Sequence, residues 1–322
     1  MFQKLKNYLS GTPKLQMKQD PEYALMMSAI QRSVDVKEYA HACILMEALL
    51  KEQEEENHLL EATQGIDYYS FNEMFEQVLC VDKVDPYMSF RMAPHNYAEM
   101  YRTYSRLLFL NGRDEEGIDA LEKALRWNPG SASIALEYAE IYRRYGDYES
   151  FAEVTLQAFE LAFTPEDISE CYINLCIYYM KMEKRMEALV TAMMAADVKT
   201  SEEVVWRAMM MTKMNDYDEL EKKYGIHTPS QKAKVCKQLG IPYIMSIDVL
   251  NRIKILHDVG KRNEDNSIRM YALQLVTRVT RAPFEMEDTE INQKMEQGNT
   301  AFDKSKFYFY QNGTLVTKDF WA

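Results

Sequence analysis

Side chains able to do chemistry are few in this chain and widely scattered. The most suggestive are His257 and Asp258, neighbours in the run LHDVGK that spans residues 256–261. An imidazole and a carboxylate side by side can ligate a divalent cation, but Arg252 and Lys254 just ahead of them oppose one by like charge. Five cysteines, at 43, 80, 171, 176 and 236, form no C-x-x-C pair and no metal-ligand spacing. An odd number of scattered thiols reads as small core hydrophobes in a reducing cytoplasm. No glycine loop cradles a phosphate, no Gly-x-Ser-x-Gly elbow presents a serine, and no H-E-x-x-H is present. The expectation is a protein with no catalytic residue, no metal and no cofactor, and therefore not an enzyme.

The elements that carry these residues are helical. Gly (11) and Pro (9) are scarce for 322 residues, while straight side chains that lose little rotamer freedom in a helix abound. The net charge of −12 argues against nucleic acid and anionic membrane as partners, since either would need a compensating basic surface. No run approaches the length of apolar chain that spans a bilayer, and residues 1–9 lack the core of a secretory signal. A cytoplasmic location is expected. Phe2, Leu5 and Leu9 line one face of a short amphipathic stretch, which reads as a docking helix.

A period organises the middle of the chain. Gly112 and Gly146 stand 34 residues apart, each between two apolar-periodic helices, where a left-handed turn suits glycine. A second regularity is a pair of residues twelve apart, one on each helix, at which the two helices meet. Ser105 with Gly117, Ala139 with Phe151, and Cys176 with Ala188 fit it. Ala208 with Leu220 is a degraded copy, and Ser28 with Ala40 is read as another. Antiparallel pairs are expected over 97–225, with turns near Gly112, Gly146, Glu183 and Asn215.

These residues carry a resemblance to the tetratricopeptide repeat (TPR), a 34-residue helical hairpin that stacks into a superhelix. Tyr101, Leu108, Gly112, Leu121, Ala124 and Pro129 match in one copy, and Tyr138, Ala139, Tyr142, Gly146, Tyr148 and Ala158 in the next. Tyr172, Leu175, Tyr179, Ala188 and Ala195 match in a third, where Glu183 replaces the turn glycine. The match is strong over 97–198 and weak for 21–50 and 226–296. KALRWNP and FTPEDISECYINL look like a group of uncharacterised bacterial repeat proteins. The fold class implied is all-α, a helical-hairpin solenoid.

In that family the first helix of each hairpin lines a concave groove. The resemblance therefore puts Arg102, Arg106, Phe109, Arg143, Arg144, Ile173, Ile177, Lys181, Met209 and Lys213 on or near one binding surface. It implies a protein or peptide partner, acidic or carboxylate-terminated. The family's carboxylate clamp is not reproduced: Glu137 stands where its central Asn is expected, and Glu170 and Asn174 replace its distal Lys and Arg. A sensor of a short signalling peptide is the second reading. LHDVGK also looks like the His-Asp signature of metal-dependent phosphohydrolases, which implies His257 and Asp258 as ligands with His227 and a late Asp288 or Asp303. His227 lies in loop-like GIHTPS, however, and the run reads better as one more hairpin with Gly260 at its turn.

The remaining segments are read more simply. Residues 1–62 hold N-terminal helices with a degenerate hairpin, including one long helix over 36–62. Residues 63–96 are a connection, with a helix over 67–81 started by Ser70 and a loop over 82–96. Residues 226–296 are degenerate helical repeats. In 297–322, KFYFYQNGTLVTKDFW alternates around Asn312-Gly313 and reads as a short β-hairpin or extended tail.

Overall fold

The computed structural model describes residues 21–56, 66–80, 89–198, 229–243, 246–279, 306–311 and 314–319. The expected turn at Asn215 and the pair Ala208 and Leu220 lie outside them. The described residues form twelve helices and two small sheets, in two compact units, Met1–Ile141 and Tyr142–Ala322. The division falls inside the 97–225 span, within one helix.

The first unit opens with a hairpin, α1 (Pro21–Asp35) and α2 (Tyr39–Glu56). Next come β1 (Ile66–Tyr69), α3 (Met74–Cys80) and β2 (Ser89–Met92), then α4 (Tyr97–Leu110) and α5 (Asp114–Trp127). α6 (Ala132–Tyr145) begins in this unit and ends in the second. One continuous core joins α1, α2, α4, α5 and the start of α6 through Ile30, Met46, Leu49, Met100, Leu108, Leu121 and Ile134.

Two expectations fail here. The helix expected over 67–81 is a strand and then a helix of only seven residues, and the loop over 82–96 contains a strand. β1 and β2 pair in parallel, with Ile66 opposite Ser89 and Tyr69 opposite Met92. Ile-Asp-Tyr-Tyr suits a pleated surface, but its partner is more than twenty residues away, so no local signal marks the pairing. Similarly, the long helix over 36–62 begins only at Tyr39, because Lys37 turns the chain between α1 and α2.

A buried carboxylate ties α3 to the end of α5. The Glu76 carboxylate accepts from the Asn72 and Glu73 N–H groups at 2.7 and 3.0 Å and from the Asn128 side-chain amide at 3.0 Å. Burial raises its pKa above the ordinary carboxylate value, against the pull of those donors. Gly130 lies directly beneath; a Cβ there would stand 2.5 Å from the Glu76 carbonyl oxygen, so only glycine fits.

In the second unit follow α7 (Tyr148–Phe159), α8 (Pro165–Lys181) and α9 (Arg185–Val198). Further on are α10 (Pro229–Leu239), α11 (Ile247–Arg262) and α12 (Asn266–Val279). β3 (Lys306–Gln311) and β4 (Thr314–Asp319) pair antiparallel with Gln311 opposite Thr314, so two residues, Asn312-Gly313, join them as expected. α8 packs against α7 and α9, and α11 against α12.

One turn recurs throughout. Lys37, Gly112, Gly146, Glu183, Gly240 and Glu264 all have positive φ. At each, the left-handed residue's N–H donates to the carbonyl three back and the next N–H donates to the carbonyl five back. Gly112 to Phe109 with Arg113 to Leu108 is one case, and Glu264 to Lys261 with Asp265 to Gly260 is another. This double bond satisfies helix-end carbonyls and reverses the chain in two residues. Glu183 therefore does turn the chain, whereas Gly260 does not: it lies inside α11, and the turn is at Glu264.

The twelve-residue pair sits seven residues before and five after the turn. Ser105 Oγ donates to the Gly117 carbonyl at 2.6 Å, and Cys176 packs with Ala188 and Ala192. In the first hairpin the same count from Lys37 selects Ile30 and Ala42, both buried. Ser28 and Ala40, the expected pair, are exposed.

Candidate partner-binding surface

In the first unit the expected groove cations are already neutralised. Arg102 Nε donates to Glu137 at 2.7 Å and Nη1 reaches Glu99 at 3.4 Å. Arg106 Nε donates to the other Glu137 oxygen at 3.1 Å, and its Nη2 also meets that carboxylate. Burial works to lower the Arg102 pKa, but hydrogen bonding to and charge on Glu137 outweigh it and the value is raised. Two guanidiniums thus face two carboxylates, and a ligand carboxylate would first have to displace Glu137. Glu137 closes this part of the surface.

Other expected lining residues face inward. The Phe109 ring lies over Gly117, with ring carbons about 3.1 Å from where a Cβ would be, and so seals the α4–α5 hairpin. Ile173 is fully buried and Ile177 half-buried in α8. Asn174 is buried and its amide donates to Thr155 Oγ1 at 3.4 Å, within the protein. Met209 and Lys213 lie outside the described residues.

In the second unit cations gather where hairpins turn. Arg143 and Arg144 occupy the last turn of α6 and Lys181 ends α8, where positive charge is favoured by the helix dipole. Lys184 and Arg185 follow the Glu183 turn and are exposed. The Lys181 ammonium lies 5.1 Å over the Tyr148 ring, and Lys184 lies 5.9 Å over Tyr179. The first contact brings the end of α8 beside the start of α7, four residues from Arg144. Exposed Tyr145 and Met180 add apolar surface. Lys184 and Arg185 were missed in the sequence because a groove reading takes only first-helix residues; their position next to a left-handed turn is the signal that finds them.

His257 does not lie on a surface. It is fully buried in α11 and accepts from Arg269 Nε at 3.5 Å through Nε2, which places the ring proton on Nδ1. Burial, then the charges of Arg269 and Lys261, lower its pKa to about 4. A guanidinium on that lone pair is opposite to what a metal requires. His227, Asp288 and Asp303 lie outside the described residues, among which no group of three or more His, Cys, Asp or Glu is placed to hold a metal ion. All five cysteines are buried and unbridged; burial raises the thiol pKa of Cys43, lifts Cys176 and Cys236 to about 12, and puts Cys171 well above the usual value. Such thiols are poor nucleophiles.

Among the described residues no helix is long and apolar enough to cross a membrane. Compared with known proteins, the chain matches no family model and no curated sequence.

Proposed function

We propose that this chain is a non-enzymatic, TPR-like scaffold of the cytoplasm that binds an acidic protein or peptide. The carrying observation is the set of cations at two hairpin turns of the second unit: Arg143, Arg144, Lys181, Lys184 and Arg185 beside Tyr145, Tyr148 and Met180. Guanidinium and ammonium groups bind carboxylates by charge-assisted hydrogen bonds, and exposed aromatic and thioether groups contribute apolar contact. The helical frame holds these groups ready, which lowers the ordering cost of binding.

A labelled octaglutamate peptide provides the test. It should bind the wild-type protein, with affinity falling as salt rises because exposed ion pairs are screened. Replacing Arg144 and Lys181 together by Glu should weaken binding at least tenfold, about 1.4 kcal/mol, with circular dichroism unchanged. Replacing Arg106 by Glu should change it by less than twofold. Equal affinity of the wild-type and Arg144/Lys181 proteins would refute the proposal.

A further inference from the structure

An asparagine followed by glycine is prone to lose its side-chain amide, because glycine has no side chain to shield the next backbone nitrogen from the asparagine carbonyl carbon. Asn111-Gly112 is such a pair, and it forms the turn between α4 and α5. At Asn111 φ is −96° and ψ is 3°. With ψ near zero the Gly112 nitrogen eclipses the Asn111 nitrogen and is turned away from Cβ, whereas ring closure needs it on the Cβ side. The Gly112 N–H donates to the Phe109 carbonyl at 3.2 Å, which holds the proton that an attacking nitrogen must lose. Asn111 Nδ2 donates to the Leu107 carbonyl at 2.7 Å, which fixes the side chain. Gly112 is nevertheless exposed and Asn111 half-buried, so water reaches the pair. Conformation protects this dipeptide, and burial does not.

We propose that Asn111 is a self-modification site that records each opening of the α4–α5 hairpin. In the opened turn the Gly112 nitrogen loses its proton to water and bonds to the Asn111 side-chain carbonyl carbon. The bond from that carbon to Nδ2 breaks, and the amide leaves as ammonia with a proton from water. The cyclic imide that remains is opened by water, whose hydroxyl goes to one of its carbonyl carbons and whose proton goes to the nitrogen. The product is an aspartate or an isoaspartate at position 111, and the net change is amide plus water to carboxylate plus ammonium. Neither product fits the closed turn. A carboxylate would face the Leu107 carbonyl, acceptor against acceptor, where Nδ2 now donates. Its charge would also stand at the C-terminus of α4, where the helix dipole disfavours it. The isoaspartate adds a carbon to the main chain in a tight turn. Imide formation is slow beside the opening and closing of a hairpin, so its rate follows the population of the open form.

Incubation of the full-length protein at mildly alkaline pH, with peptide masses followed over days, tests the site. Position 111 should deamidate at least tenfold faster in denaturing guanidinium chloride than in buffer. Ser105→Ala removes the hydrogen bond that joins α4 to α5 at Gly117, and should raise the rate in buffer about fivefold while leaving the rate in denaturant unchanged. Gly112→Ala should slow the reaction at least tenfold in denaturant, where no turn is present to be disturbed. Asn111→Asp should lower the guanidinium midpoint. Equal wild-type rates in buffer and denaturant would overturn the proposal, as would a Ser105→Ala rate in buffer equal to that of wild type. A rate in denaturant that Gly112→Ala leaves unchanged would do the same, and so would an Asn111→Asp midpoint equal to wild type.

Discussion

The α4–α5 and α11–α12 hairpins share one geometry and fill its tightest position differently. Each turns through a left-handed residue, Gly112 or Glu264, and each brings together residues seven before and five after that turn. In the first, Ser105 and Gly117 meet through a 2.6 Å hydrogen bond. In the second, His257 and Arg269 meet at 3.5 Å, and Gly260 lets the Arg269 backbone approach. The turn decides where two helices touch, and the side chains at that point decide how closely they touch and under what conditions. A small pair gives proximity. An imidazole beneath a guanidinium makes the contact sensitive to protons.

The largest effect should come from filling the small pair. Gly117→Leu would drive a side chain into the Phe109 ring, since even its Cβ would be about 3.1 Å from two ring carbons. A loss at the upper end of roughly 1–3 kcal/mol is expected, read as a lower urea midpoint with an unchanged slope. A midpoint equal to wild type would show that the ring has room to move and that the closeness of this hairpin is not limiting.

Acid should separate the two hairpins next. The folded pKa of His257, about 4, lies below the ordinary 6.5, so the unfolded chain binds the proton more readily. Stability from the neutral ring is therefore present above pH 6.5 and is lost as pH falls toward 4, by on the order of 1–2 kcal/mol at pH 5. The difference in unfolding free energy between wild type and His257→Gln, measured at pH 7 and at pH 5, should change by that amount. A difference independent of pH would mean that the ring reaches water.

A smaller loss is expected for Ser105→Ala, which removes one buried hydrogen bond worth about 1 kcal/mol without affecting acid sensitivity. The smallest effect, of opposite sign, belongs to the turns. Glu264 holds a left-handed conformation that glycine adopts without steric cost, at +54°. Glu264→Gly should therefore stabilise the protein by up to about 1 kcal/mol, net of glycine's greater freedom when unfolded, whereas Gly112→Ala should destabilise it by a similar amount. Thermal melts of the two variants should move in opposite directions.

What was legible in the sequence was what neighbours in the chain decide. Apolar period, the glycines at 112 and 146, and the Asn312-Gly313 dipeptide act over a few residues, so helices, two of the turns and the final hairpin could be read directly. The pairs Ser105 with Gly117 and Cys176 with Ala188 followed because the turn residue that registers them was visible or at its expected period. The first hairpin was misregistered by two residues, to Ser28 and Ala40, because its turn residue is a lysine and no residue type announces it. Glu264 was hidden in the same way behind the more conspicuous Gly260. Other features depend on groups far apart in sequence. β1 finds β2, Glu76 finds Asn128 fifty-two residues on, and Arg102 and Arg106 find Glu137 on the next hairpin. The resemblance set cations on one expected surface, but only packing supplied the carboxylate that neutralises Arg102 and Arg106, because the effect of a charge depends on what lies within a few ångströms of it.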